Sequence, residues 1–489
     1  MARPAPPDVT TGPSERTAAE ILALGLIVAL GLALRLRFMN EPVRSDEAYT
    51  YNEYATRSTY DAVSLYTFPN NHLLHTLFVH AAVRSLGGAP WVLRLPAFVA
   101  GVALIPATYL MTRRFAGGSA GLFAAALAAA SDPLVSYSVN GRGYTMLALF
   151  TVGMAAAAKG LTTEGRWRDW AAFTLIPPLG FFTIPVMLYP YGGIVAWLLL
   201  AKLTGRARPM RVDRLITSGL FAGVLTLLAY APSMARTGVE SVVANKFVAP
   251  RPFAEVRRDL PGSLVDVWDQ WNLDVPAPIK YGVVIAVVVG LVVRSEERAG
   301  LRAIFGLFLS VFAFSLAVVL YQSVVPFDRV WLFGLPLYQG VVGAGLGALT
   351  GRVRTRGYTP ALAVLACVGL SVLVARSDVI PKDSARLTIN HGPAIVELLR
   401  TRLGPDDAVV SELPCEGPLK YYFLVKNMPV EPLYDYRIAR ARRLYVVVNR
   451  PNGQTPDGVL AFSKVAVDKG RSPELLRDFG ESAVYVFDR

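Results

Sequence analysis

Long apolar blocks constrain this chain more than any other feature, because many of them approach the roughly 20 residues a helix needs to cross a bilayer. Eleven can be marked off: about 18–38, 91–111, 118–130, 145–159, two within 170–202, then 215–232, 281–293, 303–321, one between Arg329 and Arg352, and 358–374. The pair within 170–202 is broken by prolines, with a turn expected near Thr183-Ile-Pro185. Composition agrees. Hydrophobic residues make up 53% of the 489, and charged residues only 17%, against about a quarter in soluble domains. The expected class is an α-helical polytopic membrane protein. The first block shows no small-residue cleavage site and more blocks follow, so it reads as a retained helix.

The formal charge of +13 does not point to nucleic acid. Its lysines and arginines cluster in short connections, as at Arg113-Arg114, Arg206 to Arg214 and Arg294 to Arg302, without the aromatic-interleaved stripe of a nucleic-acid binder. Placing the N-terminus inside puts these connections in the cytoplasm, as the positive-inside rule requires. The loop after the first span, the loop between Asp132 and Arg142, the Trp268–Trp271 loop, Arg329 and the tail then share the outer face. Cys367 and Cys415 have neither metal-ligand spacing nor an evident disulfide relation.

Three regions follow. Residues 1–17 are Pro-rich and polar and read as a disordered cytoplasmic N-terminus; 18–376 form the membrane domain; 377–489 lose membrane character. In the last region, helical patterns at 394–403 and 418–425 alternate with strand-like runs at 407–411, 444–448, 465–467 and 483–487, which predicts a small extracytoplasmic α/β domain. It contains no Gly-rich phosphate loop or nucleophile elbow.

The chemistry gathers in the first outer loop, at Arg44-Ser-Asp-Glu-Ala-Tyr-Thr-Tyr-Asn-Glu53. Asp46 and Glu47 have two readings. They are first-turn acids of a helix capped by Ser45, or a general base at a membrane boundary that takes the proton of a hydroxyl acceptor. Further along are Asn70-Asn71-His72-Leu-Leu-His75 and a short helix from 76 to 86. His72 and His75 would share one helical face and form one edge of a metal site, but no third ligand is fixed, so hydrogen bonding in a packed loop is favoured. Arg142 and Arg329 lie at outer span ends, against the positive-inside bias, so each needs a partner. An acid (Asp46, Glu47 or Asp132) would serve, as would a phosphate held by the guanidinium fork. Trp268 and Trp271 read as interfacial anchors.

Four features in this order resemble the GT-C glycosyltransferases, and within them the bacterial relatives of protein O-mannosyltransferases and of the lipid A aminoarabinose transferase. They are Asp46-Glu-Ala-Tyr49, the Asn70–His75 motif, the stretch from Pro133 through Tyr137 to Arg142-Gly-Tyr144, and Pro326-Phe-Asp-Arg329 followed by Pro336. The resemblance spans about 18–374. It implies transfer of a sugar from a polyprenyl-phosphate donor to a lipid, glycan or protein acceptor outside a bacterial plasma membrane. Asp46 would then be the base with Glu47 supporting it, and Arg142 and Arg329 would hold the donor phosphate. Tyr49, Asn71, His72, His75, Tyr137 and Tyr144 would contact substrate. A divalent metal is left open. The sequence departs from the pattern at Asn140, where relatives often carry an acid; Asp132 is the candidate replacement.

Two other classes compete. A flippase or transporter of lipid-linked sugars would show internal repeats and midplane charges; no clear repeat is present, and charges sit mostly at span ends. A scaffold without activity would tolerate substitution of both acids and both arginines.

Overall fold

The computed structural model describes residues 13–67, 71–243, 249–273, 275–292, 298–350, 356–465 and 472–488. A helix stands at each of the eleven expected spans. Eight are long and apolar enough by themselves to cross a membrane: Ala18–Arg37, Pro90–Ala116, Tyr144–Thr163, Pro185–Leu203, Val212–Thr237, Arg298–Gln322, Asp328–Thr350 and Thr359–Arg386. Gly118–Ala129 and Asp132–Ser138 make a ninth, bent by 60°. The other two, Trp167–Thr183 and Ala277–Val292, are short, at 17 and 16 residues. The break between Trp167–Thr183 and the next helix falls at Ile184, where the prolines predicted it.

The bend has a visible brace. Arg35, fully buried in the first helix, donates to the carbonyls of Ala129 at 2.8 Å and Ala128 at 3.2 Å, and to Ser138 Oγ at 3.0 Å. Those carbonyls end the helix Gly118–Ala129, where intrahelical partners run out and the dipole favours a cation. The backbone of Gly101 lies so close to Ser138 that a Cβ there would collide with its hydroxyl.

After the first span, the chain turns through a short helix, Ser45–Thr50, which runs on into a π-type turn at Tyr51–Ala55. The acids do occupy the first turn, but Arg44 rather than Ser45 caps it. Its N–H donates to the Glu47 carboxylate at 2.9 Å, so Glu47 closes the cap from inside the helix. Helices Thr59–Ser64 and Leu73–Leu86 complete the loop.

The tail builds a four-stranded sheet: β1 (Ala408–Val410), β2 (Arg443–Asn449), β3 (Glu474–Asp478) and β4 (Ser482–Asp488), in the order β1-β2-β4-β3. β1 and β2 are parallel, and the other pairings are antiparallel. Three of the four expected strands are present. The run at 465–467 extends outside the described residues, and the strand missed is β3, whose Glu-Leu-Leu-Arg-Asp is mostly exposed on a sheet edge and carries little apolar alternation. β2 is central and buried along nearly its whole length, so its faces separate by the period of two. Tyr445 and Val447 face one apolar cluster, and Leu444, Val446 and Val448 face another.

The first of those clusters extends beyond the tail. It unites Leu419, Tyr421 and Tyr422 with Val43, Ala48, Tyr51 and Leu93 of the membrane domain. Polar ties run alongside: Ser45 N–H to the Leu387 carbonyl at 2.7 Å, Tyr421 Oη to the Gly88 carbonyl at 2.6 Å, and a Lys420–Glu53 ion pair at 2.6 Å. The sheet region is thereby seated on the same loop that carries Asp46.

Candidate active site

The helix Ser45–Thr50 presents its two acids to different surroundings. Glu47 is buried, and its carboxylate accepts from Arg94 Nε at 2.8 Å and Nη2 at 2.7 Å, Arg44 N at 2.9 Å and Gly141 N at 2.7 Å. Arg94 fills its remaining donors with the carbonyls of Met39, Glu41 and Pro42. Burial pushes the Glu47 carboxyl up, but the charges of Arg94 and Arg44 and their hydrogen bonds outweigh it and hold the group below its ordinary range. A carboxylate with four donors and no exposure is fixed as an anion and is not available to take a proton. Glu47 thereby supports Asp46 by fixing the helix that carries it.

Asp46 is the available acid. Its side chain is 45% exposed and stands 4.0 Å from Nη1 of Arg142, whose own side chain is only 4% exposed. The Arg142 guanidinium lies over the Tyr144 ring at 5.9 Å, and Tyr144 meets His72 and Tyr137 edge to face, each at 5.1 Å. Arg329, on the 3₁₀ turn Asp328–Gly334, is within electrostatic reach of Asp46, Tyr137 and Tyr144, and its guanidinium stacks over Phe327 at 4.5 Å. Asp46, His72, Tyr137, Arg142, Tyr144 and Arg329 therefore converge, though they come from three separate regions of the chain.

The Asn140-Gly-Arg-Gly turn explains the convergence. The Gly141 N–H reaches Glu47, while the Gly143 N–H donates to His72 Nδ1 at 2.9 Å. A Cβ on Gly143 would strike Thr183 and crowd His72, so the close approach needs glycine. The other ring nitrogen, Nε2, stands 3.1 Å from Arg142 Nη2, so His72 ties the Gly143 turn to Arg142.

Burial first, and the Arg142 charge second, push the His72 imidazole well below its ordinary 6.5. The unfolded chain then takes up a proton near 6.5 that the buried ring refuses, so His72 favours folding above that pH and weakens it as pH falls below. Thermal unfolding midpoints measured from pH 7.5 to 5 should fall more for the wild type than for His72→Gln. Parallel profiles would contradict this.

Other expected residues are placed elsewhere. Asn71 donates through Nδ2 to the carbonyls of Leu65 at 2.7 Å and Ala62 at 3.3 Å, which makes it a strut of the loop; Asn70 lies outside the described residues. Tyr49 lines a cleft against the tail domain. His75 is buried within electrostatic reach of Arg142 and Glu47, and its Nε2 has no hydrogen-bond partner among the described residues. Asp132 lines a separate small cavity of about 70 Å³ with Asn272, Lys280 and Tyr338. No group of three or more His, Cys, Asp or Glu among the described residues is placed to hold a metal. Arg94 was not singled out from the sequence. Its signal is a charge inside an apolar span, where a partner is obligatory.

Residues 72–232 match the family model of dolichyl-phosphate-mannose-protein mannosyltransferases. No curated protein matches. Among solved structures, ArnT from Cupriavidus metallidurans, bound to undecaprenyl phosphate, aligns at 13% identity over 94% of this chain and 97% of its own, with a TM-score of 0.64. The oligosaccharyltransferase of Archaeoglobus fulgidus in its apo form aligns at 12% identity over 95% of this chain and 74% of its own, with a TM-score of 0.51. At such identities the likeness is one of fold, and it runs nearly end to end. The chain is a multi-pass membrane protein with a fold like that of ArnT.

Proposed function

We propose that the chain transfers a sugar from a polyprenyl-phosphate donor to an acceptor hydroxyl, on the outer face of a bacterial plasma membrane. The observation that carries this reading is the pairing of the half-exposed Asp46 carboxylate with the buried Arg142 guanidinium at 4.0 Å. A buried cation with a second guanidinium, Arg329, nearby suits a phosphate. The acid beside it suits the hydroxyl that attacks.

In this account the acceptor oxygen forms a bond to the anomeric carbon of the sugar as the bond from that carbon to the phosphate oxygen breaks. The acceptor proton passes to Asp46, and polyprenyl phosphate leaves with its charge offset by Arg142 and Arg329. Attack from the face opposite the phosphate inverts the anomeric configuration. Tyr137 and Tyr144 wall the site and exclude water around the charged groups. Glu47 and Arg94 hold the acid in register. That ArnT binds undecaprenyl phosphate supports the choice of donor class. The arginine-rich connections favour the outer orientation, since they would lie in the cytoplasm.

The test is reconstitution with polyprenyl-phosphate hexoses and pentoses labelled in the sugar, together with membrane lipid and glycan acceptors. Cleavage of the donor with the label recovered on an acceptor is the expected result. Movement of intact labelled lipid between leaflets without cleavage would replace this reading with a transporter.

A further inference from the structure

A cavity of about 630 Å³ separates the first loop from the tail domain, a volume within the range of small-ligand sites. One wall is Tyr49, Asn52 and Glu53; the other includes Ser411, Glu416, Lys420, Tyr434 and Asp435. Ser411 follows β1 directly, so the cleft opens at the carboxyl end of a parallel strand pair, the usual place for ligands of α/β sheets. None of these residues takes part in the Asp46–Arg142 site.

Asn52 fixes one wall: it is 7% exposed, and its Nδ2 is held on the Gly417 carbonyl at 2.9 Å. Around it the cleft offers acceptors and ring faces: the carboxylates of Glu416 and Asp435, the Ser411 hydroxyl, and the rings of Tyr49 and Tyr434. Glu53 is neutralised by Lys420 at 2.6 Å, and Lys420 also lies over the Tyr434 ring at 5.9 Å. Hydroxyl donors with C–H faces to lay on aromatic rings match this lining, in which Lys420 and Lys464 stand against Glu53, Glu416 and Asp435. A peptide strand has no open edge to join, because the helical turns Glu431–Leu433 and Asp435–Ile438 pack against β1.

We propose that this cleft binds a neutral saccharide, the sugar portion of the acceptor, and so sets which acceptor reaches the transfer site. The proposal rests on the transferase reading for its purpose but not for its binding chemistry. Tyr49 stands one helical turn from Asp46 on the helix Ser45–Thr50, so a saccharide lying on Tyr49 is delivered beside the acid.

The experiment uses the full-length protein in nanodiscs and neutral hexasaccharides of glucose, mannose and N-acetylglucosamine, with binding followed by saturation-transfer NMR and calorimetry. At least one hexasaccharide should bind. Affinity should fall tenfold or more in Tyr434→Ala and Asp435→Ala, and Tyr434→Phe should restore most of it; size exclusion and circular dichroism report whether each variant folds. Absence of binding by all three sugars overturns the proposal, as does unchanged binding in both alanine variants or preferential binding of an unstructured peptide. Donor cleavage by the wild type is measured separately. Saccharide binding that depends on Tyr434, in a protein that cleaves no donor, would leave the cleft standing and remove the transferase reading.

Discussion

Asp46→Asn is expected to lower sugar transfer by about 10²- to 10⁴-fold, the usual contribution of a positioned general base. The amide is isosteric with the carboxylate but cannot accept the acceptor's proton. Asp46 is half-exposed and its contact with Arg142 is long, at 4.0 Å, so the variant should fold and unfold as the wild type does. Its binding of polyprenyl phosphate should persist, because Arg142 and Arg329 are untouched, and should tighten slightly as a negative charge leaves the site. Single-turnover transfer, with donor affinity measured alongside, separates these effects. Transfer at the wild-type rate would remove Asp46 as the base.

Glu47→Ala is expected to fail for a different reason. The substitution leaves Arg94 buried and charged with two of its five hydrogen bonds gone, and it also removes the acceptor for the Arg44 and Gly141 N–H groups. Breaking one partner of a buried pair costs about 3–5 kcal/mol, enough to unfold a marginal membrane domain. Low expression, or loss of the folded species on size exclusion, should follow, and Arg94→Ala should behave alike. Arg94→Lys should rescue only partly, since an ammonium cannot make the two-pronged contact. A well-folded Glu47→Ala protein with no transfer would instead return Glu47 to the chemistry. The two neighbouring acids therefore predict opposite phenotypes: a folded, inactive protein from one and an unfolded one from the other.

That difference was not visible in the sequence. Asp46 and Glu47 are adjacent and equally acidic; only the positions of Arg94 and Gly141 decide which is buried. The spans were legible because apolar blocks bounded by arginines are a one-dimensional signal, and the break at Ile184 announced itself through prolines. The gathering of His72, Arg142 and Arg329 around Asp46 was legible as a shared outer face, but not as contacts. What carries the contacts is backbone: Gly141 and Gly143 turn their N–H groups onto Glu47 and His72, and a glycine's direction cannot be read from its letter. Tyr49 and Asn71 were grouped with the reaction through the motifs that carry the resemblance. One faces the tail across a cleft, and the other ties the loop to itself. The edge strand Glu474–Asp478 was missed because its burial is too slight to impose alternation.

The central claim is that donor phosphate and acceptor acid meet at Arg142 and Asp46. Its most direct test is the structure of this protein with a non-cleavable polyprenyl-phosphonate sugar. Phosphonate oxygens hydrogen-bonded to Arg142, with the anomeric carbon close enough to Asp46 for a hydroxyl to bridge them, is the predicted result. A phosphonate bound in a different part of the membrane domain, with Asp46 facing only solvent, would contradict it.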